Sequence, residues 1–225
     1  MKLPAIVLVS PRNPKNIGAV ARVMANFGFN DLRVVSPHPP VWEEALITAT
    51  DAASLLKKAK VFPTLKEAIE DRRKVWGTSC LKGRHPSLAL TTLPGFKAGG
   101  KEAILFGQEK RGLRAEDLAF CDGLLAVPTV PGALSMNLAQ AVGVVCYELG
   151  VKMSEAPALP ARINSKELEI LIDRAALALT SIGYRPKLTA AKRGAKVRSL
   201  LRSRGLASNE AGFLREVLRR IEGIS

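Results

Sequence analysis

Across the first 150 residues, short aliphatic and β-branched runs alternate with longer stretches of helical periodicity. That alternation confines the chain to α/β architectures built on a mostly parallel sheet. Residues 5–9, Ala-Ile-Val-Leu-Val, are apolar at every position, as a strand buried on both faces must be. Asn13 then reads as an N-cap and Pro14 as the first residue of a helix to about 27, stopped by Gly28. Further strands are expected at 32–36, 73–78, 102–106 and 124–128, and helical patterns at 41–57, 64–71, 115–119 and 135–149, the last capped by Ser135. The apolar runs are far shorter than the ~20 residues of a membrane span, and 1–9 is too short for a signal peptide; a cytoplasmic location follows as the default.

A proline-bearing stretch at 153–162 reads as a linker. It separates a body (1–152) from an all-helical tail (163–225), where leucines recur near 168–179, 197–201 and 213–221. The net charge is +14, and it is uneven: the first 150 residues carry 19 basic and 13 acidic side chains, the last 75 carry 15 and 7. Between 185 and 204 there is no acidic residue. Such a balance points to an anionic partner, nucleic acid first. The run at Lys192, Arg193, Lys196 and Arg198 is either a solvated face or a phosphate grip, and its place in the basic tail favours the grip. Cys80, Cys121 and Cys146 are widely spaced and the only histidines are His38 and His85, so no zinc-ligand spacing exists and no metal is expected.

Three segments stand in order along the body. They are Asn16-Ile17-Gly18-Ala19-Val20-Ala21-Arg22, then Phe106-Gly107-Gln108-Glu109-Lys110-Arg111-Gly112-Leu113, then Val127-Pro128 with Ser135-Met136-Asn137-Leu138. In order and spacing they resemble the three motifs of the SPOUT-class RNA 2′-O-methyltransferases. Gly77-Thr78-Ser79 ahead of Arg84, with the helical tail, makes the resemblance closest to the TrmJ-type tRNA methyltransferases of the SpoU/TrmH subgroup. It covers nearly the whole chain.

The resemblance implies a knotted SPOUT fold: a mostly parallel sheet flanked by helices, a deep C-terminal trefoil knot, and a small all-helical C-terminal domain. Periodicity does not reveal a knot, since knots are rare enough to be excluded by default. It further implies S-adenosylmethionine as cofactor, tRNA as substrate, nucleotide 32 of the anticodon loop as acceptor, and a homodimer with the site near the subunit interface. Ribosomal RNA is the alternative substrate, because such motifs report the cofactor better than the RNA. A non-catalytic RNA-binding α/β protein is disfavoured by Arg22, Glu109 and Ser135 standing together. A dinucleotide site is disfavoured by the absence of Gly-x-Gly-x-x-Gly over 10–18.

The motif residues carry both plain and functional readings. Gly18 and Arg22, four apart, share a helix face, which leaves room for a ribose-phosphate beside the cation; alternatively Arg22 only solvates the helix. A guanidinium stays charged near neutrality, so positioning and charge stabilisation fit it better than general-base work. Asn16 is either a capping amide or a support for Arg22. Gly107 and Gly112 bracket a turn; matched to the family, Gly107 lines the cofactor pocket and Glu109 braces the site through Arg22. By resemblance, Thr78, Ser79, Cys80, Val127, Pro128, Leu134, Ser135 and Met136 contact the cofactor, Asn137 fixes the knot loop, and Arg84 meets RNA phosphate.

Overall fold

The computed structural model describes residues 2–37, 42–79, 88–130, 136–151 and 162–223. Among these residues, seven parallel strands form one sheet in the order β3-β2-β1-β6-β4-β7-β5. They are β1 Ala5–Val9, β2 Leu32–Val35, β3 Lys60–Phe62, β4 Lys74–Ser79, β5 Leu90–Thr92, β6 Glu102–Phe106 and β7 Gly123–Ala126. The expected strands at 5–9 and 102–106 are found with those bounds, and those at 32–36, 73–78 and 124–128 within one or two residues. β3 and β5 escape the sequence pattern because each is a three-residue edge strand with little buried surface, as edges are kept short.

Period-two alternation divides the central strands between two cores. Ile6, Leu8, Val34, Ile104 and Phe106 face a cluster built with helices α1 (Pro14–Asn26), α2 (Trp42–Ala49) and α6 (Leu138–Val151). Ala5, Val7, Val9, Val35, Ala103 and Leu105 face the other cluster, with α4 (Leu65–Ile69) and the residues around α5 (Ala115–Leu118). The continuous helix expected over 41–57 is instead α2, a 3-10 turn at Thr50–Ala52 and a short α3 (Ala53–Lys57), with Thr50 at φ 46° marking the break. Asn13 caps α1 as expected, its side chain accepting from Lys15 N at 3.0 Å.

The tail folds as α7 (Ser165–Ser181), α8 (Ala190–Arg204) and α9 (Ser208–Glu222) around their own apolar cluster, which includes Leu168, Leu171, Ile172, Ala211 and Leu218. It docks at the N-terminal end of the strands. Ser165 N donates to Arg72 O (2.5 Å) and Lys166 N to Glu70 O (2.9 Å), just before β4. Arg202, fully buried, donates to Phe120 O just before β7 and to Glu169 Oε1 at 3.0 and 3.2 Å. Among the described residues, no helix is long and apolar enough to cross a membrane.

Candidate active site

In the sheet order, the chain from β1 builds outward through β2 and β3, then crosses to the other side of β6. β1 and β6 therefore flank the point where the winding changes direction, and the crevice beyond the C-terminal ends of such strands is where ligands bind in open α/β sheets. The loops leaving β1 and β6 meet there. Glu109 accepts from Arg12 N (3.1 Å), Asn13 N (3.2 Å) and Asn16 Nδ2 (2.9 Å). Asn137 Nδ2 in turn donates to Asn16 Oδ1 (3.2 Å), while Asn137 Oδ1 accepts from Ala139 N (2.9 Å) and Gln140 N (3.4 Å) at the start of α6. One hydrogen-bonded chain, Glu109–Asn16–Asn137, thus joins residues 93 and 121 positions apart. Burial pushes the Glu109 carboxyl up, but donation from Asn16 and the Arg12 and Asn13 backbone prevails and holds it below its ordinary value. The carboxylate stays charged.

Several expectations change. Glu109 braces the site through Asn16 and the 12–13 backbone, not through Arg22, because its oxygens are taken by those donors. Arg22 is exposed and has no hydrogen-bond or ion-pair partner among the described residues. The space beside Gly18 is not open for a ribose-phosphate: a Cβ there would lie 1.9 Å from Ala45 O and 2.3 Å from Thr48 Oγ1, so the glycine serves the approach of α2 to α1. A Cβ on Gly107 would meet Gly112 C at 2.1 Å and Leu113 N at 2.2 Å. Gly107 lets the 107–112 loop close on itself, with Gly112 N donating to Gln108 O (2.7 Å) and Gly112 at φ 67°. The last helix of the body begins at Leu138 under Asn137, not at 135 under Ser135. The Asn137-x-x-Gln140 spacing is itself a capping signature that the sequence carries.

The strand ends that were expected to hold the cofactor are neighbours. Gly77 pairs in register with Leu105 and Ser79 with Ala126, so Thr78–Ser79, Gly107 and Val127 lie on one rim across β6, β4 and β7. Thr78 Oγ1 donates to Leu105 O (2.8 Å), Val127 packs half-buried against the core, Pro128 is exposed and Met136 half-buried. Cys80, Arg84, Leu134 and Ser135 lie outside the described residues, as does most of the expected linker.

On the tail, Lys192 and Lys196 are exposed. Arg198 is not free for phosphate: it donates to Glu169 Oε2 (2.7 and 3.2 Å) and lies 5.3 Å from the Phe120 ring centre. Arg193 is likewise committed, to the carbonyls of Leu188 (2.5 Å) and Arg185 (3.2 Å). Among the described residues, no group of three or more His, Cys, Asp or Glu is placed to hold a metal ion.

A family model described as SpoU rRNA methylase matches residues 4–147. The tRNA (cytidine-2′-O-)-methyltransferase TrmJ of Methanocaldococcus jannaschii is 36% identical over 155 residues, 66% of this chain and 67% of its own. An Escherichia coli K12 protein named uncharacterized tRNA/rRNA methyltransferase LasT is 33% identical over 184 residues, 79% of this chain and 81% of its own. Among solved structures, TrmJ from Z. mobilis ZM4 superposes with a TM-score of 0.84 at 33% identity, covering 98% of this chain and 99% of that one.

Proposed function

The chain belongs to the SpoU methylase family, and we propose that it moves a methyl group from S-adenosylmethionine to a ribose 2′-hydroxyl of tRNA, at nucleotide 32 of the anticodon loop. One observation carries the reading: the three motif segments converge in the Glu109–Asn16–Asn137 chain at the C-terminal ends of the strands. The names of the relatives support the substrate and the reaction, and the E. coli relative keeps ribosomal RNA as the second substrate.

The chemistry of the rim fits the cofactor. Val127, Pro128 and Met136 offer apolar walls, strand-end backbone groups and the Thr78 and Ser79 hydroxyls line its base, and no charged side chain occurs among these positions. The same reading keeps Cys80, Leu134 and Ser135 as cofactor contacts, by family resemblance. S-adenosylmethionine held there would supply an electrophilic sulfonium methyl for transfer to the ribose oxygen. Arg22, exposed one helical turn beyond Gly18, holds a phosphate beside that ribose and stabilises the negative charge that builds on the 2′-oxygen as its proton leaves to solvent. Asn16, Glu109 and Asn137 hold the loops around it in register.

The same reading includes the family's trefoil knot, with α6 as the tucked segment. α6 follows β7 in the chain yet packs on α1, where Val23 meets Gly143, and its Glu148 accepts from Gly95 N (2.9 Å). It includes a homodimer formed over the α1–α6 face, where Tyr147 and Val144 of α6 are exposed (56% and 36%). The division at 153–162 and a cytoplasmic location belong to it as well. Of Lys192, Arg193, Lys196 and Arg198, the two lysines are the cations left to meet RNA, with Arg84 a further RNA contact. The tail docks at the opposite end of the strands from this Glu109–Asn16–Asn137 clasp, about 20 Å away by the rise of the six-residue β4, so its grip on RNA is remote from the site of its own chain.

The test is methyl transfer from labelled S-adenosylmethionine to unmodified tRNA transcripts, with the modified nucleotide mapped. A 2′-O-methyl group at nucleotide 32, absent with Arg22→Ala although that variant still binds S-adenosylmethionine, is the expected result. A methyl group on a base, or transfer to ribosomal RNA alone, overturns it.

A further inference from the structure

Beside the clasp, on its β2 side, lies a cavity of about 290 Å³ whose lining includes Ser10, Arg12, Ser36, Gln108, Arg111, Arg114 and Asp117. Three loops build it. Ser10 and Ser36 are the first residues after the adjacent strands β1 and β2, Gln108 and Arg111 come from the loop after β6, and Arg114 precedes α5. Both serines sit at positive φ, 49° and 43°, a conformation that costs a non-glycine residue and turns the chain sharply out of the sheet at this rim.

The charges are unbalanced. Arg114 is engaged by Glu116 (2.7 Å) and Asp117 (3.8 Å), and Asp117 also accepts from Arg114 N (2.8 Å). Glu109, the other nearby carboxylate, is committed to the clasp. Arg12 and Arg111 have no carboxylate partner among the described residues. Asp117 being engaged by Arg114, the exposed Arg12 and Arg111 leave this concave surface with a net positive charge among the described residues, and an oxyanion such as a phosphate suits such donors. The volume lies just below the ~300–1,000 Å³ of ordinary small-molecule pockets, the size for a phosphate with its ribose rather than for a whole cofactor.

We propose that this cavity is a phosphate subsite holding a phosphodiester of the RNA strand next to the nucleotide being methylated, with Arg12 and Arg111 as its specific cations. The proposal rests on the function read above and adds its second anchor on the substrate. The clasp couples the two places: Arg12 lines the cavity and gives its backbone N–H to Glu109, and Gln108 adjoins Glu109 in sequence. A strand held in the cavity is thereby registered against the loops that position Arg22.

The experiment compares the full chain with Arg12→Gln/Arg111→Gln and with a charge-matched control, Lys57→Gln/Lys58→Gln at the C-terminal end of α3. Affinity for a tRNA transcript is read as a function of salt, beside S-adenosylmethionine binding and the KM and kcat of methyl transfer. Each lost phosphate contact on a single-stranded segment lowers the log–log salt slope by ~0.7. The arginine pair should lower it by about 1.4 and weaken binding roughly tenfold at 0.15 M salt. KM rises accordingly while S-adenosylmethionine binding is kept and the control stays near the unsubstituted protein. Equal slopes for the arginine pair and the unsubstituted protein, or an equal loss in the control, overturn the subsite. Inorganic phosphate, titrated separately, should compete with tRNA through the arginines; phosphate binding that leaves tRNA affinity unchanged makes the cavity a free-anion site and likewise overturns the proposal. If the unsubstituted protein methylates no RNA, the function itself falls, a failure distinct from these.

Discussion

Glu109→Gln isolates the clasp, because it keeps the shape of the side chain and removes one charged acceptor. The carboxylate receives three N–H donors, from Arg12, Asn13 and Asn16 at 2.9–3.2 Å. A carboxamide offers one oxygen and one NH2, so at least one donor then faces another donor. Hydrogen bonds to charged groups contribute ~1.5–3 kcal/mol each. Two of these three are exposed, which places the loss at the lower end, about 1.5 kcal/mol. For a chain of this length that lowers Tm by about 3–6 °C. Methyl transfer should fall much further, because Asn16 is released from its partner and the link to Asn137 loosens; displacements of ~1 Å near reacting groups cost on the order of 10²-fold.

The pH dependence fixes the sign. The folded Glu109 carboxyl lies below its ordinary value, so its contribution is fully present above ~4.3 and is lost as pH falls through the folded value. The stability gap between the parent and Glu109→Gln should therefore be constant near neutrality and close on acidification below about 4. Thermal denaturation at several pH values, with single-turnover methyl transfer, supplies the measurements. Unchanged Tm and kcat in the variant, or a gap that widens in acid, refute the clasp.

Three further perturbations address the scaffold. Gly18→Ala forces a Cβ against Ala45 O and should cost about 1–3 kcal/mol by overpacking, read as a lowered urea midpoint; a neutral result would mean that α2 does not rest on α1 as described. Arg202→Ala leaves Glu169, whose side chain is 2% exposed, with Arg198 alone, and should destabilise by about 3–5 kcal/mol and open the tail to limited proteolysis; a tail that stays equally protected contradicts the dock. Burial pushes the Asp122 carboxyl up to about 6 against the opposing Arg202, Val75 N–H, Arg162 and Lys74. The folded state then holds this proton more tightly than the unfolded chain, and stability due to the group declines as pH rises from about 4 to 6. Asp122→Asn should flatten that segment of the stability–pH curve, and an unaltered slope would place the titrating group elsewhere.

The strands of the body were legible because burial on both faces writes a continuous apolar run, as in Ala5–Val9 and again at Glu102–Phe106, where only Glu102 interrupts it and donors from Trp76 and Gly99 satisfy that carboxylate. Asn13-Pro14 was legible because capping is decided within one turn. Asn16, Glu109 and Asn137 were legible as candidate site residues through their motifs, and the structure joins their side chains by hydrogen bonds. Their mutual partnership was not readable, since nothing in one loop specifies which distant acceptor it meets. The same holds for Gly18 and Gly107: a missing side chain announces a close approach without naming what approaches, and here it is α2 in one case and the loop's own backbone in the other. The basic run divides in the structure for a related reason. Charge counts treat every cation on a helix alike, whereas packing of the tail turned Arg202 and Arg198 onto Glu169 and Phe120 and left Lys192 and Lys196 outside. Local composition determines which segments form helices and strands, because those hydrogen bonds close over a few residues. Strand order, the neighbours of each glycine and the fate of each arginine belong to contacts across the whole chain, and only the folded packing decides them.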